Sequence, residues 1–253
     1  MRNFTFVLCT LALIRAPANA HEFWIEPQEF VLPAGGKFEP QVRVGEHLGG
    51  RAFPFAAGGY EMALWVGPKQ ARELNRDHPS GSIPSLEAMG DGLHVLAVAS
   101  LPQLLVYESE AEFREFADEI RAQGVLADAS VTGTDGRVRE SYRRFSKTLV
   151  FFGEKRGEDK RVGLAHEWVK SGDKFTLFSE GDPVTDQPVT LFCRTNHSGH
   201  QHIREHRLRT DDQGSVAPAL PLSSACLVNA VFLEPGAAEG QWKSDWVSLF
   251  LGT

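Results

Sequence analysis

Val189-Thr190-Leu191-Phe192-Cys193-Arg194-Thr195 is a short run of β-branched, aliphatic and aromatic residues, too brief for a helix and suited to a buried strand. Runs of the same kind recur on both sides of it. They are His21–Glu26, Phe38–Val44, Tyr60–Val66, Leu93–Ser100, Thr148–Phe152, Lys174–Ser179, Ala225–Leu233 and Trp246–Leu251. Gly, Pro and Asp turns separate them at the spacing typical of a sandwich, so the chain is expected to be mainly β.

Two segments in the middle depart from this pattern. Ser109 and Glu112 form a capping box, Phe113, Phe116, Ala117 and Ile120 follow at helical spacing, and Gly124 stands where a helix stop belongs. Val138, Tyr142, Phe145 and Leu149 repeat that spacing and predict a second helix from about Gly136. The pair reads as a short helical insertion at about 109–147. The charge-dense stretch Gly153-Glu154-Lys155-Arg156-Gly157-Glu158-Asp159-Lys160-Arg161 then predicts a boundary. An N-terminal β domain would span 21–160. A C-terminal sandwich of immunoglobulin-like size would span 161–253, with the turn Thr210–Gly214 between Leu208 and Val216. The expected architecture is two β-sandwich domains.

The composition is that of an ordinary globular protein, with 253 residues, 42% of them hydrophobic and 23% charged. A formal charge of -7 and the lack of any Lys/Arg-rich run exclude a nucleic-acid backbone as partner, because phosphate binding needs concentrated positive charge. Residues 1–20 read as a secretory signal peptide. Arg2 supplies the positive region, Phe4–Ile14 the apolar one, and Ala18-Asn19-Ala20 the cleavage site. Arg15 and Pro17 interrupt the apolar run well short of the roughly 20 residues of a membrane span. The expected product is periplasmic or secreted, without stable membrane insertion, and begins at His21. Cys193 and Cys226 then remain in an oxidising compartment, where a disulfide between them would stabilise the fold by roughly 3 to 4 kcal/mol.

Cleavage there makes His21 a candidate metal ligand twice over. Its free amine, with an ordinary pKa of about 7.7 to 8.0, loses its proton readily to a competing metal, and the imidazole of the same residue closes a chelate ring. Nitrogen pairs of this kind suit Cu(II) or Ni(II). His197, His200, His202 and His206 place four of the nine histidines within ten residues, and in an extended segment His200, His202 and His206 share one face. His47, His94 and His166 are single histidines near strand ends, structural unless they converge on His21. Hydrolase, P-loop and H-E-x-x-H motifs are absent.

His21-Glu22-Phe23-Trp24-Ile25-Glu26-Pro27, Val44-Gly45-Glu46-His47, Gly92-Leu93-His94-Val95, Glu140–Lys147 and Asp245-Trp246-Val247-Ser248-Leu249, in this order, resemble exported bacterial nickel-uptake substrate-specific components. The resemblance implies a periplasmic protein of β-sandwich domains that binds nickel or a related transition metal, in some members as the soluble part of an uptake system. Carried onto this chain, His21 is the leading ligand position. Two positions depart from the pattern: Phe232 stands where a histidine is common, and Val247 where an acidic residue usually follows Asp-Trp. The expectation is a binding or delivery protein for nickel, copper or cobalt. The His21 amine and imidazole would hold the ion, His47, His197, His200 and His202 would add ligands, and a separate inner-membrane transporter would be the partner. Two other classes stay open, a copper monooxygenase with a histidine brace and a non-metal adhesion or scaffold module.

Overall fold

The computed structural model describes residues 22–78, 81–127, 130–197, 200–218 and 225–252, without the side chains of 196, 197, 200 and 201. The expected signal peptide and His21 lie outside the described residues. The chain runs through β1 (Glu22–Glu26), β2 (Val31–Leu32), β3 (Lys37–Phe38), β4 (Gln41–Glu46), β5 (Gly49–Pro54), β6 (Tyr60–Val66) and β7 (Ala71–Glu73). A single turn, α1 (Leu74–Asp77), leads to β8 (Leu86–Glu87), β9 (Gly92–Ser100) and β10 (Gln103–Tyr107). Helix α2 (Glu110–Glu119) is followed by the long β11 (Val138–Phe152), then β12 (His166–Ser171), β13 (Lys174–Ser179) and β14 (Asp182–Pro183). The remainder holds β15 (Pro188–His197), β16 (His200–Arg209), β17 (Ser215–Val216), β18 (Ala225–Pro235) and β19 (Gln241–Leu251). The protein is mainly β, with a sandwich-like layering.

A ten-stranded sheet in the order β16-β15-β18-β19-β11-β9-β6-β7, with β10 and β2 also paired to β11, forms the middle layer. The sheet of β12, β13, β14 and β17 covers one face. Trp168, Phe175 and Leu177 from it meet Val189, Leu191, Cys193, Val228, Val247, Leu249, Phe145 and Val95. On the other face, Phe23, Ile25, Phe38, Val42 and Phe55 pack on Leu96, Val98, Val150 and Phe152. Further along that face, α2 lays Phe113, Phe116 and Ala117 on Val231, Leu233, Trp242 and Trp246. Cover on both sides explains why all nine residues of β9 are buried, and why the sequence there is near-continuously apolar rather than alternating. Strand β1 lies across this sheet, and its carbonyls are satisfied by hydroxyls from below. Ser248 Oγ donates to Phe23 O and Thr148 Oγ1 to Ile25 O, each at 2.7 Å.

The first expected helix forms as read. Ser109 Oγ accepts the Glu112 N–H at 3.3 Å, while the Glu112 carboxylate accepts the Glu108 N–H at 3.0 Å, one residue earlier than an ideal capping box. The second expected helix is instead the strand β11. Its apolar residues are spaced by four, three and four, and an even step keeps a strand residue on the same face while an odd step changes it. Val138 and Tyr142 accordingly pack with α2, whereas Phe145 faces the small sheet with Leu149. The spacing reflects a strand buried on both sides.

The expected boundary near residue 160 does not divide the fold into two sandwiches. Strand β19 pairs in parallel with β11 from Arg139↔Gln241 to Thr148↔Phe250, so strands from both sides of 160 share one hydrogen-bonded sheet. The charged segment at 153–161 is a strap across that sheet, tied at Leu93 N–H to Arg156 O, 2.8 Å.

Candidate functional site

The β4–β5 hairpin turns through His47 and Leu48, both in the left-handed region at φ 52° and 57°, as the two central residues of a tight hairpin turn require. Neither is Gly, Asn or Asp, so the conformation has to be held from outside. Leu48 is buried with Trp24, Phe192, Leu227 and Phe250, and its carbonyl accepts from Arg194 at 3.0 Å. The anchored leucine fixes its neighbour: the His47 ring lies edge-on to Phe192 at 5.4 Å between centroids, with Nε2 3.6 Å from the Glu205 carboxylate.

Register then brings Glu22 to the same place. It opposes Gly45 across β1 and β4, two residues before the turn. Glu22, His47, Glu119, Arg121, Thr190, Phe192, Glu205, Arg207 and Asn229 line a cleft of about 60 Å³. The basic residues already have partners, since Arg121 donates to Leu208 O at 3.1 Å and Val189 O at 2.7 Å, and Arg207 to Glu205 at 2.7 Å.

Glu22 is only 7% exposed. Burial raises its pKa from 4.5 to about 7, the negative charges of Glu119 and Glu46 add to the rise, and backbone hydrogen bonds at Glu22 and His47 offset part of it. Its Oε2 is buried with no hydrogen-bond partner among the described residues, and so is Asn229 Oδ1. Two unsatisfied acceptors beside further carboxylates are a costly arrangement that a cation would relieve. A water needs roughly 10 to 15 Å³ of such space, so the cleft has room for an ion with a few waters and none for a sizeable organic ligand.

The expected ligands do not all meet here. His47 lines the cleft. His21, next in the chain to Glu22, lies outside the described residues. His197 and His200 pair across the β15–β16 hairpin, and their side chains are likewise outside the description. His202 opposes Thr195 and is exposed; its even position on β16 puts it on the sheet face opposite Glu205, the cleft residue. His202 and the cleft are therefore on opposite faces of one sheet. No group of three or more His, Cys, Asp or Glu side chains with metal-binding geometry occurs among the described residues.

His94 and His166 do not join the cleft either. His94 is buried and accepts from Met89 N–H at 2.9 Å, with its other nitrogen 3.0 Å from Gly92 O, and burial pushes its pKa down. His166 is 3.1 Å from Asp245, which also binds Arg143 through both carboxylate oxygens at 3.0 Å. Although burial alone would raise the Asp245 pKa, these hydrogen bonds outweigh it and hold the carboxyl below its usual range. Cys193 and Cys226 face each other across β15 and β18 and are joined by a disulfide.

Glu22, Glu119, Glu205 and Asn229 were not singled out from the sequence. Asn229 carried a signal, as the one amide inside the apolar run Ala225–Leu233. The acids carried none, because their convergence comes from register.

The model for a domain of unknown function, DUF4198, matches residues 18–233. The chain belongs to the DUF4198 family. No curated protein matches it. The DUF4198 match takes in Glu22, His47, Glu119, Glu205 and Asn229 and ends within β18, so β19, which completes the central sheet, falls beyond it.

Proposed function

We propose that this DUF4198 protein is an extracytoplasmic carrier of a divalent transition metal ion, nickel or copper first, bound where β1 begins. The ligands are the His21 amine and imidazole, His47 and the Glu22 carboxylate, with Asn229 Oδ1 as a further oxygen donor. The observation that carries this reading is the pair of buried acceptors Glu22 Oε2 and Asn229 Oδ1, without a hydrogen-bond partner among the described residues, in an ion-sized cleft beside His47. Mixed nitrogen and oxygen donors suit borderline ions, and a cleft open to solvent permits the exchange that capture and delivery need. His202, on the opposite face of the β15–β16 hairpin, is not part of this site. Release would be to a membrane transporter.

The test is calorimetric titration of the protein exported by its own signal, with Ni(II) and Cu(II), beside Glu22→Gln, His47→Gly and a form carrying one extra residue before His21. Tight one-to-one binding by the exported protein is expected, weakened at least tenfold in each of the other three. Equal binding in all four would move the site away from the cleft. No binding in any would reject the metal reading. Because affinity rises toward Cu(II) at nearly any such site, the ranking of the four proteins decides the matter rather than the preference for copper.

A further inference from the structure

Lys147, in the middle of β11, is completely buried, and so are the carboxylates of Asp159 in the strap and Glu167 in β12, at 0–1% side-chain exposure. Lys147 Nζ is 2.8 Å from Asp159 Oδ1 and 3.5 Å from Glu167 Oε2. It also donates to Lys160 O at 3.0 Å and Trp168 O at 2.9 Å. The second Asp159 oxygen, Oδ2, accepts the Lys170 N–H at 2.8 Å. Glu167 is held by the Val162 and Gly163 N–H groups, with the partly exposed Arg161 3.8 Å away. Each group is thus fixed from a different element: β11, the strap and the facing sheet.

From this arrangement we propose that Lys147 and Asp159 condense to an intramolecular isopeptide bond, with Glu167 as the proton relay. A neutral amine has two N–H bonds and one lone pair. The two carbonyls take the N–H bonds, which leaves the lone pair directed at the Asp159 carboxyl. Nζ attacks Asp159 Cγ, and the negative charge that develops on Oδ2 is met by the Lys170 N–H, a donor already in place. The ammonium first gives one proton to Asp159 Oδ1, 2.8 Å away, which leaves the amine neutral and the carboxyl an acid; after the attack Glu167 takes a second proton from Nζ and passes it to Oδ1, which leaves as water. An ammonium and a carboxylate become an amide and one water, and Glu167 ends in its starting state. No oxidant or cofactor enters.

Burial favours the amide on two counts. Two desolvated charges disappear, which removes the expense of keeping an ion pair in the interior. Water for the reverse hydrolysis is excluded by Trp168, Phe145 and Leu164, all buried in the same core. The bond would lock the strap onto the central sheet and resist local opening there.

Intact-mass measurement of the folded protein decides the question. The expected mass is that of the sequence less one water, after allowance for the disulfide, and trypsin should release a branched peptide joining the segments of Lys147 and Asp159. Glu167→Gln is expected to keep its full sequence mass. Asp159→Asn, which would condense by losing ammonia, is expected to fall short by one ammonia, so a linked product stays detectable without the native carboxylate. Wild-type protein at full sequence mass, or a lost water without the branched peptide, would overturn the proposal. Condensation in Glu167→Gln would remove Glu167 from it.

Discussion

At His47 a side chain is placed by its neighbour's burial. The left-handed turn is held by Leu48 in the core and by Arg194 on its carbonyl, and the imidazole follows. His47→Gly should therefore lose the ligand while staying within about 1 kcal/mol of wild-type stability, since glycine adopts this φ freely. Glu140 belongs to the same scale. It is fully buried, accepts from Tyr107 Oη at 2.7 Å and from Ser244 Oγ, and burial raises its pKa above 4.5. A carboxyl raised in the folded state binds its proton more tightly there than when unfolded. Its contribution is thus full below the ordinary carboxylate pKa and is lost as pH rises above it. Urea unfolding across a pH series should show stability falling upward from about pH 4.5 in wild type, with a smaller fall in Glu140→Gln.

Helix α2 shows what an element needs beyond its local signals. Its cap and spacing were legible because they operate within a few residues, and the structure keeps both. Docking supplies most of its stability. Phe113 lies edge-on to Tyr107 and tilted against Trp242, each at 5.1 Å between centroids, and Phe116 stacks on Trp246 at 6.0 Å. Ser109→Ala should cost about 1 kcal/mol, the usual loss of one cap. Phe113→Ala should cost roughly 3 to 5 kcal/mol, because it empties a site with no exposed surface to relax into. Chemical denaturation of both variants checks the ratio. Strand β11 is the opposite case. Its apolar residues mimic a helix stripe only because successive pairs face different layers, and no local rule separates the two readings.

The whole molecule is one sheet with a layer on each side, and its closure is long-range. Parallel pairing of β19 with β11, and antiparallel pairing of β18 with β19, tie β18 and β19 to the middle of the chain. Residues 21–160 expressed alone would expose the edge of β11, and residues 161–253 alone would leave the β19 edge unpaired, together with the apolar faces that Phe145, Leu149 and α2 cover. Neither half should fold. Each should give collapsed proton NMR dispersion, while the full chain unfolds in one thermal transition. A dispersed spectrum from 161–253 alone would restore an independent C-terminal domain.

Strand content, the capped helix and the pair Cys193 and Cys226 were legible in the sequence, because each depends on neighbours in the chain or on composition. The cleft was only half legible. His47 stood out as a histidine at a strand end, but Glu22, Glu119, Glu205 and Asn229 are brought to it from β1, α2, β16 and β18 by register and packing. A single residue of slip would send Glu22 to the other face. The same pleat sends His202 away from Glu205, which the run of histidines gave no means of anticipating. Chemistry at one residue is local and can be read from the chain; convergence depends on which strands pair and in what register, and the tertiary structure decided that.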